Sequence, residues 1–85
     1  MHKGSPKTIG NRIYEIRLNQ GLTMDEFARR IDDKAKSGTV SNWETGKNLP
    51  SKHRLKIIAE IGGMKVTDLL KESEEEFYKS ERFGF

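Results

Sequence analysis

Small polar side chains alternate with two bulky apolar ones in the run T-V-S-N-W-E-T-G-K at positions 39–47. Val40 and Trp43 are spaced i,i+3, so both can anchor one face of a helix on an apolar core. The compact side chains, which can donate and accept hydrogen bonds as the reading of base edges requires, are Thr39, Ser41 and Asn42. The pattern predicts a short helix that is buried on one side and makes polar contacts on the other.

Gly46 and Lys47 at the end of this run have two interpretations. Gly46 can adopt the positive φ that ends a helix, and Lys47 can then contact a phosphate group. A Gly-Lys pair also occurs in the nucleotide-binding P-loop, which needs a preceding strand and Ser or Thr after the lysine. Because Asn48 follows here and no strand pattern precedes, we reject a P-loop.

No catalytic or metal-binding constellation is recognisable in the sequence. There is no cysteine, and the only histidines, His2 and His53, lie far apart, which argues against a zinc site. No Ser/His/Asp or paired-carboxylate arrangement is evident, and the glutamates between 72 and 76 are typical of a solvated face. We therefore expect a protein that is not an enzyme and that uses no metal or cofactor.

Charge is distributed unevenly along the chain, whose net charge is +3. Residues 1–56 contain twelve Lys/Arg against six Asp/Glu, whereas residues 57–85 contain four against seven. A basic half that includes the 39–47 run is expected of a domain that faces a polyanion. Lopsided surface charge is also common in small proteins, so this observation supports that interpretation without deciding it.

Length and hydropathy indicate one small domain. A chain of 85 residues can build only a modest core. No apolar run approaches the ~20 residues of a membrane span, and no signal-peptide pattern opens the chain. We expect a cytoplasmic protein that makes no membrane contact and, with no second domain in the sequence, binds no small-molecule ligand.

Apolar residues recur at helical spacing in five segments, which predicts an all-α domain. The predicted helices cover about 8–20, 24–31, 37–45, 51–61 and 66–70. Candidate caps for their starts are Thr8, the Thr23/Glu26 capping box and Ser51. Candidate core residues are Ile9, Ile13, Ile16, Phe27, Ala28, Ile31, Leu55, Ile58, Ala59, Leu69 and Leu70.

The two ends of the chain differ from this domain, which we place at residues 8–70. Residues 1–7 are predicted to be a flexible basic arm. Residues 71–85 combine an acidic run with the aromatic residues Phe77, Tyr78, Phe83 and Phe85. Because exposed aromatic side chains favour a partner, both a tail that folds back on the core and an element of a homodimer interface fit this composition.

The ordered set of signals over residues 9–70 resembles the helix-turn-helix domain of the phage repressor and Cro family, also called the xenobiotic-response-element type. The matching residues are Ile9, Gly10, Arg12, Ile13, Arg17, Gly21, Leu22, Thr23, Phe27, Ala28, Ile31, Thr39, Val40, Ser41, Trp43, Glu44, Gly46, Lys47, Pro50, Ser51, Leu55, Ile58, Ala59, Leu69 and Leu70. The resemblance implies a five-helix, lambda-repressor-like fold. In that fold the second helix lies across the DNA backbone and the third enters the major groove.

The resemblance also implies roles for individual residues. The base-reading positions would be Ser37, Gly38, Thr39, Ser41 and Asn42. Asn42 is the strongest candidate, because an amide can pair with both N6 and N7 of adenine. Arg17 and Glu44 would form a structural bridge between the first and third helices. Met24 stands where relatives carry a phosphate-binding Gln, which leaves the backbone N–H and the helix dipole for that contact.

The remaining phosphate contacts are expected from polar side chains near the third helix and from one on the first helix. They are Arg12, Lys36, Lys47, Asn48 and Lys52. The sequence thus predicts a DNA-binding transcriptional regulator that recognises a double-stranded operator, specifically a repressor of prophage or mobile-element type. The alternative is a protein-interaction module on the same fold, comparable to an antitoxin or antirepressor.

Overall fold

The computed structural model describes residues 5–71, which form five α-helices. They are α1 (Pro6–Asn19), α2 (Met24–Ile31), α3 (Ser37–Glu44), α4 (Lys52–Ile61) and α5 (Val66–Leu70). The predicted all-α, five-helix fold is therefore confirmed. None of these helices is long and apolar enough to cross a membrane.

All five helices contribute to one apolar core. The side chains with no exposed surface come from every helix and are Ile9, Ile13, Phe27, Val40, Ile58 and Leu69. Both α1 and α2 pack against the short α3. The helix expected to make polar contacts is thus supported by two neighbours.

The first helix begins earlier than predicted. Ser5 is its N-cap, with the Ser5 Oγ accepting a hydrogen bond from the Thr8 N–H at 3.2 Å. Pro6 occupies the first helical position, where an N–H group would have no partner within the helix, so its absence costs no hydrogen bond. The prediction that Thr8 caps this helix is therefore wrong. Residues 5–7 belong to α1 and its cap rather than to an arm, and residues 1–4 lie outside the described residues.

The other predicted caps are confirmed. Thr23 and Glu26 form a reciprocal capping box at the start of α2. The Ser51 side chain accepts a hydrogen bond from the backbone N–H of Arg54 at the start of α4. These local bonds satisfy N–H groups that a helix start leaves without partners.

Gly10 allows α1 and α3 to approach closely. A Cβ atom at Gly10 would lie far inside contact distance of the Trp43 carbonyl oxygen and 2.8 Å from that of Glu44. Gly46, at the end of α3, has the predicted positive φ of 80°, and a Cβ there would lie 2.9 Å from the Lys7 backbone. The end of α3 is therefore fixed against α1 by backbone contact, which side chains at these two positions would prevent.

Candidate nucleic-acid interface

The two faces of α3 differ as the sequence pattern predicts. Val40, Trp43 and Glu44 are buried, with Trp43 only 2% exposed. The other face is accessible. Gly38 is exposed there, and the half-buried residues are Ser37, Thr39, Ser41 and Asn42. The structure thus brings the five predicted base-reading residues together on one short helix, with small hydrogen-bonding groups turned away from the core.

Arg17 and Glu44 hold α3 to α1 through a buried ion pair. Arg17 Nε lies 2.6 Å from Glu44 Oε2, and Arg17 Nη2 lies 3.1 Å from Oε1, a two-point contact. Arg17 Nη1 also donates to the Leu22 carbonyl at 3.0 Å, so the guanidinium reaches the loop before α2. The hydrogen bond to Glu44 raises the pKa of Arg17 despite its burial. Both charges of this pair are thus engaged inside the protein.

A second arginine connects α4 to the turn before α3. Arg54 Nη2 lies 3.0 Å from Asp32 Oδ2, and the Arg54 guanidinium carbon lies 5.8 Å from the centre of the Trp43 ring. The pKa of Asp32 is lowered, chiefly by the hydrogen bond from the Lys34 N–H and then by that from Arg54. This contact is not predictable from the sequence, since neither residue belongs to a local motif.

The predicted phosphate-contacting residues occupy two borders of α3. Lys36 is exposed immediately before the helix, in the N-cap position. Lys47 and Asn48 are exposed just after it, and Lys52 is exposed in the first turn of α4. The Asn48 N–H donates to the Asn42 carbonyl at 3.1 Å, which folds this loop back on the end of α3. Polar groups therefore flank the accessible face at both ends.

Met24 begins α2, and its half-buried side chain packs against the core. A phosphate contact by the backbone N–H groups at this helix start stays a prediction.

Arg12 makes contacts within the protein that the sequence did not indicate. Its Nη1 donates to the carbonyl oxygens of Leu69 at 3.0 Å, Asp68 at 3.4 Å and Lys71. A cation at the carboxyl end of a helix satisfies carbonyls that have no partner within the helix. Arg12 thus joins α1 to the end of α5, and a phosphate contact by Arg12 stays a prediction.

Arg29 of α2 is a further candidate, which the sequence did not indicate. With Asp25, Ala35, Lys36 and Ser37 it lines a cleft of about 270 Å³ between α2 and the start of α3. Both Arg29 and Lys36 are exposed, so two cations border the beginning of the helix. An exposed arginine within a helix carries no motif, and only the packing of α2 beside α3 reveals its position.

The described residues contain no group of His, Cys, Asp or Glu side chains able to hold a metal ion. Within residues 5–71 every buried side-chain polar atom has a hydrogen-bond partner. The accessible polar groups around α3 form a surface suited to hydrogen bonding and to contact with an anion.

Comparisons with known proteins agree with this geometry. A family model described as helix-turn-helix matches residues 13–69. No curated protein matches the chain significantly.

Three solved structures are similar to the chain. The BldD DNA-binding domain from S. venezulae is 27% identical, with a TM-score of 0.64, over 79% of this chain and 97% of that one. A crystal structure of the DNA-binding domain of BldD is also 27% identical, with a TM-score of 0.64, over 84% of this chain and all of the other. The clp gene regulator ClgR from Corynebacterium glutamicum is 22% identical, with a TM-score of 0.67, over 91% of this chain and 80% of that one, and at this identity it shows the fold alone.

Proposed function

This chain belongs to the helix-turn-helix family, and on that basis we propose that it is a transcriptional regulator that binds double-stranded DNA sequence-specifically. α3 is the recognition helix, and it enters the major groove with its N-terminal half. The observation that carries this proposal is the division of α3 into a buried face and an accessible face of small polar groups.

Within this proposal, the reading residues are Ser37, Gly38, Thr39, Ser41 and Asn42. Asn42 pairs with adenine through its amide, while Thr39 and Ser41 adapt to either a donor or an acceptor. Gly38 supports a close approach of the backbone, because nothing lies within 4 Å of the position its Cβ would take. The surface there is open for a ligand.

The proposed phosphate contacts are made by the residues that border this face. Lys36, Lys47 and Lys52 supply charge, Asn48 supplies an amide, and the backbone at Met24 supplies a helix N-terminus. The exposed Arg29 beside Lys36 belongs in the same set. Because these contacts displace counterions from DNA, binding weakens as salt concentration rises.

We further propose that the protein is a cytoplasmic repressor of the phage repressor and Cro type, encoded by a prophage or mobile element. It acts by occupying an operator, without chemistry of its own. A homodimer would recognise two inverted half-sites about 34 Å apart. The element proposed for dimerisation, residues 71–85, lies outside the described residues apart from Lys71.

A second candidate function is a protein-interaction module of the antitoxin or antirepressor kind. Met24 favours this alternative. Relatives carry a phosphate-binding Gln at this position, whereas the Met24 side chain packs against the core. Under this alternative, Asn42→Ala and Lys47→Ala leave DNA binding unchanged, and truncation after Leu70 removes binding of the partner protein.

Two substitutions with different expected effects on DNA affinity test the DNA-binding proposal. Asn42→Ala should reduce affinity for the preferred duplex and relax the preference at one base pair, whereas Lys47→Ala should weaken binding to all duplexes about equally. Fluorescence anisotropy with the preferred and a scrambled duplex measures both effects. If the two variants lose affinity in the same proportion on both duplexes, base reading by Asn42 is excluded.

A further inference from the structure

The start of α3 is not held by a capping side chain. Lys36 occupies the N-cap position without a side-chain hydrogen bond to the first turn, and Gly38 follows with no side chain. A helix start leaves several N–H groups without partners, and a capping side chain usually fixes its position. Here Ala35 provides one support, since it is 5% exposed and belongs to the core.

Asp32 organises the turn that leads to this helix start. Its Oδ1 accepts a hydrogen bond from the Lys34 N–H at 2.9 Å, and its backbone carbonyl accepts one from the Ala35 N–H at 2.9 Å. Both bonds draw the chain after α2 into a compact turn. The position of Ala35, and with it the beginning of α3, therefore depends on where Asp32 is held.

Arg54 of α4 holds Asp32 from outside the turn. Its Nη2 and Nε donate to Asp32 Oδ2 at 3.0 and 3.3 Å, which leaves Oδ1 for the turn itself. The same guanidinium lies over the ring of Trp43, the residue that anchors the last turn of α3. One side chain thus contacts both the turn before the recognition helix and the buried residue near its end.

We propose that Arg54 and Asp32 are positioning residues that set the placement of the start of α3 and thereby the sequence discrimination of the domain. The part that concerns DNA rests on the proposed function. The two side chains are 25% and 31% exposed, so their ion pair adds little to global stability. Its effect is local, on the orientation of the side chains that read bases. A guanidinium is required, because its Nε and Nη2 reach Asp32 while its central carbon lies over the Trp43 ring, and the compact ammonium of a lysine cannot occupy both positions.

Arg54→Lys is the sharpest test, since it keeps the positive charge and any general attraction to DNA while removing the planar fork. The first measurement is amide hydrogen exchange on the free protein, within residues 35–39 at the amides of Ala35 and Thr39, whose N–H groups donate to the Asp32 and Lys36 carbonyls, compared with α1. We expect about tenfold faster exchange at these two amides, with α1 unchanged. Asp32→Asn, which retains an oxygen for the Lys34 N–H but loses the charge, should produce a smaller change at the same residues.

The second measurement is the ratio of affinities for the preferred and a scrambled duplex. We expect Arg54→Lys to reduce this ratio about tenfold, by weakening the preferred complex alone. Arg12→Lys is the matched control: it also disturbs an arginine that bridges two helices, but at α5 and away from α3. It should lower stability without changing the ratio.

The outcomes separate this inference from the proposed function. Unchanged exchange at residues 35–39, or a uniform increase throughout the chain, would overturn the positioning role. Faster exchange there with an unaltered affinity ratio would overturn the role in discrimination. If the wild-type protein shows no preference between duplexes, the proposed function fails, and the exchange data still decide whether Arg54 and Asp32 hold the start of α3.

Discussion

Arg17 of α1 and Glu44 of α3 form a buried ion pair, with Arg17 Nε and Glu44 Oε2 2.6 Å apart. Each of the two residues is 8% exposed. Their charges are therefore engaged with each other and hold α3 on α1.

Glu44→Ala should lower the free energy of unfolding by about 3 kcal/mol, because Arg17 would remain buried without its counter-charge. Urea denaturation measures the loss. In an Arg17→Met background the same substitution should have less than half of this effect, since no cation is then left unpaired. Equal losses in the two backgrounds would show that the two side chains contribute independently.

Gly10→Ala should destabilise the protein by about 2–3 kcal/mol, although alanine favours helices. The added methyl group meets the backbone carbonyls of Trp43 and Glu44, so α1 and α3 must separate. Thermal and urea denaturation measure the change.

Gly38→Ala is the matched control for this prediction. Nothing lies near the new methyl group, and the substitution should raise stability by about 0.5–1 kcal/mol. A similar loss in both variants would contradict the close approach of α1 and α3 at Gly10.

Glu26 should contribute to the loss of stability in acid. Hydrogen bonds from the backbone and side chain of Thr23 lower the pKa of Glu26 below its ordinary value of 4.5. A carboxyl group with a lowered folded-state pKa stabilises the protein above its unfolded-state pKa. That contribution disappears as the pH falls through the lower, folded-state value.

Glu26→Gln keeps an acceptor for the capping box but does not ionise. Stability of this variant should therefore decline less steeply than that of the wild type below about pH 4.5. Urea denaturation at a series of acidic pH values compares the two slopes. Parallel curves would mean that the ionised Glu26 carboxylate contributes nothing to the folded state.

Arg12→Ala should lower stability without reducing the dependence of DNA binding on salt, because its guanidinium is engaged by the carbonyls at the end of α5. Lys47→Ala should instead reduce the slope of log affinity against log salt by about 1, the signature of one lost phosphate contact. Titrations at several salt concentrations give both slopes. A reduced slope for Arg12→Ala would instead support the phosphate contact predicted for Arg12 from the sequence.

Features that depend on local sequence were predictable. Residue types three positions apart predict two of them: the capping box of Thr23 and Glu26, and the burial of Val40 and Trp43. The N-cap of α1 was misjudged because Ser5 and Thr8 are both capping residues, and only Pro6 at the first helical position distinguishes them.

Contacts between distant residues were not predictable without the fold. Arg12 follows the pattern of an exposed cation, but its partners are backbone carbonyls at the far end of the domain. Arg54 and Asp32 are separated by 22 positions and belong to no motif. The bridge between Arg17 and Glu44 was expected only through the resemblance to a family, since the residues alone do not specify which charges pair.

Selection of bound duplexes from a random pool, at low and at moderate salt, tests sequence-specific DNA binding by α3 most directly. The prediction is enrichment of a defined sequence, with binding that weakens as salt rises and a preference at one base pair that Asn42→Ala relaxes. Enrichment of an inverted repeat would further support a homodimer. A folded protein that enriches no sequence and binds no duplex at either salt concentration would contradict the proposed function.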